Sequence, residues 1–155
     1  MIANKFKISS GKGESKSPLV SFDKALLKAG VGNYNLVRLS SILPVGSVHA
    51  DKVDLEEGSL LPIAYSTISS DIEGDILIST IGVGFPKDKS KVGVIMEYST
   101  KNTTVASAMK TLNSMIVEAF EERGWELDRI ESTYASARVP EKKHATTFAC
   151  VAEWW

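Results

Sequence analysis

The sequence predicts an α+β domain of mainly antiparallel sheet with helices packed outside it. Three observations carry this. About seven segments rich in β-branched residues are separated by turn signals. They run mostly in hairpin order, which favours antiparallel pairing. Only two segments repeat apolar residues at helical spacing.

A first strand is expected at 4–8, and the polar stretch SSGKGESKSP at 9–18 reads as a loop. A helix follows over 22–29. Ser21 is its expected N-cap, Leu26, Leu27 and Ala29 form its apolar stripe, and Gly30 and Gly32 end it. Tyr34 to Leu43 reads as one strand, stopped by Pro44. Asn35, Val37, Leu39 and Ser41 share one face of it, and Leu36, Arg38, Ser40 and Ile42 the other. Residues 45–58, with the acidic run DLEEG, read as a loop. Strands are expected at about 59–69, 75–85 and 92–98, joined by turns at Glu73-Gly74 and Pro86 to Lys89. A long helix over 103–123 is marked by Val105, Ala108, Met109, Leu112, Met115, Ile116, Ala119 and Phe120, and ends at Gly124. The last strands are expected near 126–138 and 144–154.

The bulk numbers bound the function. A chain of 155 residues suits a single domain, 1–155, with a core of useful size. Hydrophobic residues at 43% and charged ones at 24% are ordinary for a globular protein. A formal net charge of −1 offers no basic face, so no nucleic-acid partner is expected. The longest apolar stretch, Ile76 to Phe85, is broken by Ser79, Thr80 and glycines and falls far short of the roughly 20 residues of a membrane span. No membrane partner is expected. The segment MIANKFKISSGKGESKS does not read as a signal peptide, and the single cysteine, Cys150, excludes an internal disulfide. A cytoplasmic protein is the expectation.

Familiar catalytic motifs are missing. There is no G-x-S-x-G elbow, no glycine loop for phosphate and no metal-spaced histidine pair; His49 and His144 each stand alone, and no metal is expected. The unusual feature is Arg38-Leu39-Ser40-Ser41-Ile42-Leu43-Pro44. Two adjacent serines sit in an apolar strand, where hydroxyls gain little. On pattern alone, the simpler reading is that they bond locally to the backbone.

The segments GVGNYNLVRLSSILP, VGVIMEY at 92–98 and RGWELDRIES at 123–132 are similar to the pyruvoyl-dependent arginine decarboxylases. LPIAY at 61–65 and PKDKS at 86–90 fit as well, and the match runs in unbroken order from SFDKALLKAGVGN to AEWW. The resemblance implies a four-layer αββα sandwich. It implies self-cleavage between Ser40 and Ser41, giving a β chain of 1–40 and an α chain of 41–155. In that chemistry the Ser41 hydroxyl attacks the Ser40 carbonyl and exchanges an amide for an ester. Elimination frees the Ser40 carboxylate, and hydrolysis releases ammonia, leaving Ser41 as a covalent pyruvoyl group. That carbonyl takes up the substrate amine and then the electron pair left by departing carbon dioxide, the work pyridoxal phosphate does elsewhere. Neither pyridoxal phosphate nor a metal is implied.

The other roles also come from the resemblance. Glu97 matches the proton donor; it is an acid inside an apolar strand, where burial would favour the protonated form. The competing reading is a solvated edge position. Asn35 matches an asparagine that orients the scissile bond; otherwise it is a turn residue opening a strand. Asp23 matches the residue that receives the guanidinium in a planar two-bond pair. It would also suit the first turn of a helix through the dipole. Leu26, Gly32, Tyr34, Ser40 and Ile95 match the pocket walls, although the family commonly has a smaller residue at Tyr34. The implied reaction is L-arginine to agmatine and carbon dioxide, serving polyamine synthesis or acid resistance. The implied assembly is a homotrimer with each site between two subunits, Asp23 and the Ser41–Glu97 side coming from different chains. Two alternatives stand beside this. One is a pyruvoyl decarboxylase for another amino acid, histidine. The other is an uncleaved, inactive binding or assembly module, against which Ser41, Asn35 and Glu97 argue together. Trp154 and Trp155 are read as interface or core residues.

Overall fold

The run ATTFACVAEW that closes the chain carries apolar residues on both faces, and such a strand needs cover on both sides. A computed structural model, describing all 155 residues, supplies that cover. The elements are β1 (Lys5–Ser15), α1 (Pro18–Ala29), β2 (Asn35–Arg38), β3 (Ile42–Leu43), β4 (Val48–His49), β5 (Leu60–Ser70), β6 (Ile76–Pro86), β7 (Gly93–Lys101), α2 (Val105–Arg123), β8 (Leu127–Arg138) and β9 (His144–Trp154). They form a five-stranded sheet in the order β2-β5-β9-β1-β4 and a four-stranded sheet in the order β3-β7-β6-β8. Pairing is antiparallel except for β1 with β4 and β2 with β5.

Alternation along β9 sets the layers. Phe148, Cys150, Ala152 and Trp154 pack against Ala25, Leu26 and Ala29 of α1. Ala149 and Val151 point the other way and meet Ile81, Val83 and Ile95 of the second sheet, with Phe6, Leu43 and Ala64. On the far side of that sheet, Val94 packs under Leu112, Ile116, Ala119 and Phe120 of α2. The order is helix, sheet, sheet, helix: the four-layer αββα sandwich. Trp154 is fully buried and donates its Nε1–H to Asp54, so it is core, whereas Trp155 is half exposed.

Three local expectations are corrected. The stretch read as a loop at 9–18 is mostly strand, because β1 continues to Ser15 and pairs with β9 along its whole length. Its glycines are there for close approach rather than turning. A Cβ on Gly11 would lie 2.2 Å from the Ala25 carbonyl oxygen, and one on Gly13 would lie 2.4 Å from that of Ser21. The two glycines let α1 sit directly on the strand. Gly11→Ala should therefore cost about 1–3 kcal/mol, read as a lower urea midpoint at constant slope; an unshifted midpoint would mean α1 is not seated there.

The helix starts earlier than expected. Ser17 is its N-cap, accepting from Val20 N–H, and Pro18 opens its first turn, where the missing N–H costs nothing. Ser21 is buried inside the helix and bonds Pro18 O and Thr146 Oγ1, each at 2.7 Å. The third correction concerns Tyr34–Leu43. It is two strands in two different sheets, separated by Leu39-Ser40-Ser41.

Between the sheets most buried polar groups find partners, such as Ser79 Oγ with Thr147 Oγ1 at 2.8 Å and Ser66 Oγ with Thr80 O at 2.7 Å. Glu153 does not. It is 3% exposed, its Oε1 has no partner, and burial pushes its carboxyl up from the ordinary 4.5 to about 7. Below about pH 4.5 this acid is protonated in both folded and unfolded chains and contributes nothing. As pH rises from about 4.5 to 7 the unfolded chain gives up the proton and the folded one keeps it, so stability falls. Above about 7 the loss is complete, at most roughly 3 kcal/mol. Glu153→Gln should raise the denaturant midpoint at pH 8 and flatten its dependence between pH 5 and 7. An unchanged pH profile would sink this account.

Candidate active site

The chain crosses between sheets where the paired serines lie. The short β2 lines the edge of the first sheet, and Leu39 N–H extends its ladder by one bond to Ile63 O at 2.9 Å. Past the serines, β3 pairs with β7 through Ile42–Val94 and Leu43–Gly93. Ser41 O accepts from Ile95 N–H at 2.8 Å, the first bond on the second sheet's side. Ser40 makes no backbone hydrogen bond and is exposed. The Ser40 and Ser41 hydroxyls bond to nothing. The Ser40–Ser41 peptide is thus held on its two flanks and open in the middle.

Glu97 stands on the same side of β7 as Ile95, two residues or about 7 Å further along the strand. β3 has already ended at this level, so that edge of β7 is uncovered. The expectation of an apolar burial for Glu97 is not met. Its side chain is 33% exposed, and its Oε1 accepts from Arg38 Nη2 at 2.5 Å. Arg38 had no assigned role. Its guanidinium lies 4.4 Å from the Tyr65 ring centroid and also donates to Tyr65 O at 3.0 Å. The pair spans the two sheets beside the crossover, and the bond to Glu97 raises the Arg38 pKa.

The remaining candidates lie elsewhere. Asp23 is exposed in the second turn of α1, beyond the reach of a first-turn dipole effect. Leu26 is buried under the same helix at 8% exposure. Gly32 is crowded by Leu27, where a Cβ would come within 2.8 Å. The Tyr34 hydroxyl donates toward Val53 O and Leu55 O, both at 3.3 Å. The Asn35 amide donates to Gly58 O at 2.7 Å, which ties it to the 56–59 turn and not to the scissile bond. Ile95 is fully buried, so it meets the site with its backbone N–H. The structure therefore brings together Ser40, Ser41, Ile95, Glu97 and Arg38. Asp23, Leu26, Gly32, Tyr34 and Asn35 form a second group on α1 and the segment after it, with no hydrogen bond to the first group within one chain.

A cleft of about 1030 Å³ includes no candidate residue; Lys12, Lys24, Lys28 and Arg138 outnumber its one acid, Glu14, a poor setting for a cationic substrate. No three His, Cys, Asp or Glu side chains are placed to hold a metal ion. No helix is long and apolar enough to cross a membrane. Of the residues missed in the sequence, Arg38 had only its position two before Ser40 as a signal. Glu153 had the oddity of an acid in an apolar run.

Fold and site define a small α+β sandwich with a free serine hydroxyl at a strand crossover and an acid on the neighbouring edge. The family model for pyruvoyl-dependent arginine decarboxylase matches residues 5–153. The protein of that name from Methanocaldococcus jannaschii is 43% identical over 154 residues, 99% of this chain and 92% of that one. Those from Methanococcus aeolicus and Thermococcus kodakarensis are each 39% identical, over 98% and 89% of this chain and 90% and 87% of their own. The chain belongs to the pyruvoyl-dependent arginine decarboxylase family.

Proposed function

We propose that this chain cuts itself between Ser40 and Ser41 and then decarboxylates L-arginine to agmatine and carbon dioxide. The observation that carries the reading is the crossover itself. Ser41 presents a free hydroxyl beside an unpaired peptide bond, with its own carbonyl fixed on Ile95 N–H and Glu97 on the same edge.

These residues fit a pyruvoyl group formed from Ser41. Its position is half-buried, the amide carbonyl that would be conjugated with its ketone already has a donor, and the adjoining edge of β7 is open to a substrate. Such a group supplies an electrophilic carbonyl for the substrate amine and a sink for the electron pair left by carbon dioxide. The chain's own residues do the rest. Ile95 N–H bonds the amide carbonyl of residue 41, where it would stabilise negative charge delocalised from the reacting centre. Glu97 carries the proton that replaces the lost carboxylate at the substrate Cα. Asp23, whose carboxylate is exposed, suits a two-bond pair with the guanidinium. Since Asp23 lies apart from Ser41 in one chain, the reading includes a homo-oligomer, a trimer, in which Asp23, Asn35 and Tyr34 of one subunit complete the Ser41–Glu97 side of the next. A cytoplasmic setting suits Cys150, whose buried thiol is pushed up to about 11.

Intact mass measurement tests the first step: two fragments, 1–40 and a pyruvoyl-capped 41–155, are expected, and one uncut chain would overturn it. Arginine and histidine offered together test the second; turnover of histidine in preference would overturn the substrate assignment. Sedimentation tests the assembly, and a stable monomer that turns over arginine would overturn the shared site.

A further inference from the structure

Arg38 takes no part in the steps above, yet it is the side chain that bridges the two sheets at the cut. We propose that Arg38 is a positioning residue that changes partner on maturation: it holds Glu97 in the intact chain and moves to the new carboxylate of Ser40 in the cut one. The inference rests on the reading that the chain cuts itself at this bond.

The cut creates a charge beside Arg38. The Ser40–Ser41 amide breaks, one water is consumed, nitrogen leaves Ser41 as ammonia, and the acid formed on Ser40 gives its proton to that ammonia. A carboxylate remains at the end of the 1–40 fragment, two residues or about 7 Å from Arg38 in extended chain and within reach of its side chain. Ser40 has no backbone hydrogen bond to leave behind, so the freed end can swing.

Arg38 has a pivot that does not depend on Glu97. The Tyr65 carbonyl takes one of its N–H groups at 3.0 Å, and the Tyr65 ring lies beneath its guanidinium carbon at 4.4 Å. The guanidinium can turn about these contacts and exchange one carboxylate for another. A planar fork suits the exchange, since it meets either carboxylate with two parallel donors. The consequence falls on Glu97. In the intact chain its Oε1 is taken by Arg38. After the exchange that oxygen faces the open edge of β7, where the substrate arrives. The acid thereby becomes available only when the chain has been cut.

The test is carboxypeptidase trimming of the purified, processed oligomer, followed by the mass of the small fragment. Wild type should keep Ser40. Arg38→Gln should lose Ser40 about fivefold faster, the factor that a partly exposed ion pair of about 1 kcal/mol corresponds to. Arg38→Lys should restore part of the protection, and Glu97→Gln should trim as slowly as wild type. Equal trimming of wild type and Arg38→Gln would overturn the exchange. So would faster trimming of Glu97→Gln, which would mean that Arg38 protects the end only through Glu97. If Arg38→Gln fails to mature, Glu97→Gln against wild type decides: slow loss of Ser40 in both supports the exchange, and rapid loss in either overturns it. A wild-type chain with no small fragment overturns the cleavage reading itself, and the exchange falls with it.

Discussion

Ser41→Ala should purify as a single folded chain of 155 residues and form no agmatine. The substitution removes one oxygen that bonds to nothing, at a half-buried position between two short strands. Its cost in stability should be within about 0.5 kcal/mol, as for other surface changes that break no contact. The chemical cost is complete, because the oxygen that would attack the Ser40 carbonyl is gone and no ketone can form at position 41. Gel mobility, intact mass and circular dichroism separate this outcome from misfolding. Appreciable decarboxylation by an uncut Ser41→Ala chain would refute the covalent cofactor.

Glu97→Gln separates maturation from turnover. The proposed cleavage uses only the Ser41 hydroxyl and the Ser40 carbonyl, so the variant should still yield both fragments. Turnover needs a proton at the substrate Cα, and an amide cannot supply it. A loss of about 10²- to 10⁴-fold in kcat is expected, the range a positioned acid contributes. The substitution leaves Asp23 untouched, so with the guanidinium held as proposed KM should change much less than kcat. Gln retains an oxygen that can accept from Arg38, which leaves the bridge between the sheets in place. Wild-type turnover in Glu97→Gln would put the donor elsewhere.

The parts of the fold that could be read in advance are those in which one periodicity dominates. The long helix was legible because Val105 to Phe120 repeats at helical spacing and Gly124 stops it, with a left-handed φ of 66°. β5 to β9 were legible because β-branched runs alternate with turns. The errors came where one residue type serves two purposes. Glycines ordinarily mark turns, yet Gly11 and Gly13 lie within β1, because what they accommodate is a helix backbone from above. Alternation made 34–43 look like one strand, but the chain changes sheets at Ser40, and no local pattern records which sheet a strand will join. The four-layer order itself was inferred from resemblance, since strand and helix counts alone allow other stackings.

For the site, residue identity was legible and residue company was not. By itself the sequence determined an α+β domain with two helices, a pair of serines in an apolar setting, and an acid in a later strand. These follow from local spacing and side-chain chemistry, which the chain carries wherever it goes. Only the tertiary structure decided that Arg38 holds Glu97, that Asn35 is tied to Gly58, and that Glu153 is buried without a partner. It also set Asp23 apart from Ser41 on a different layer. The physical reason is that such pairings depend on which strand edges meet across two stacked sheets. That is settled by burial of the whole apolar surface at once, and no short segment contains it.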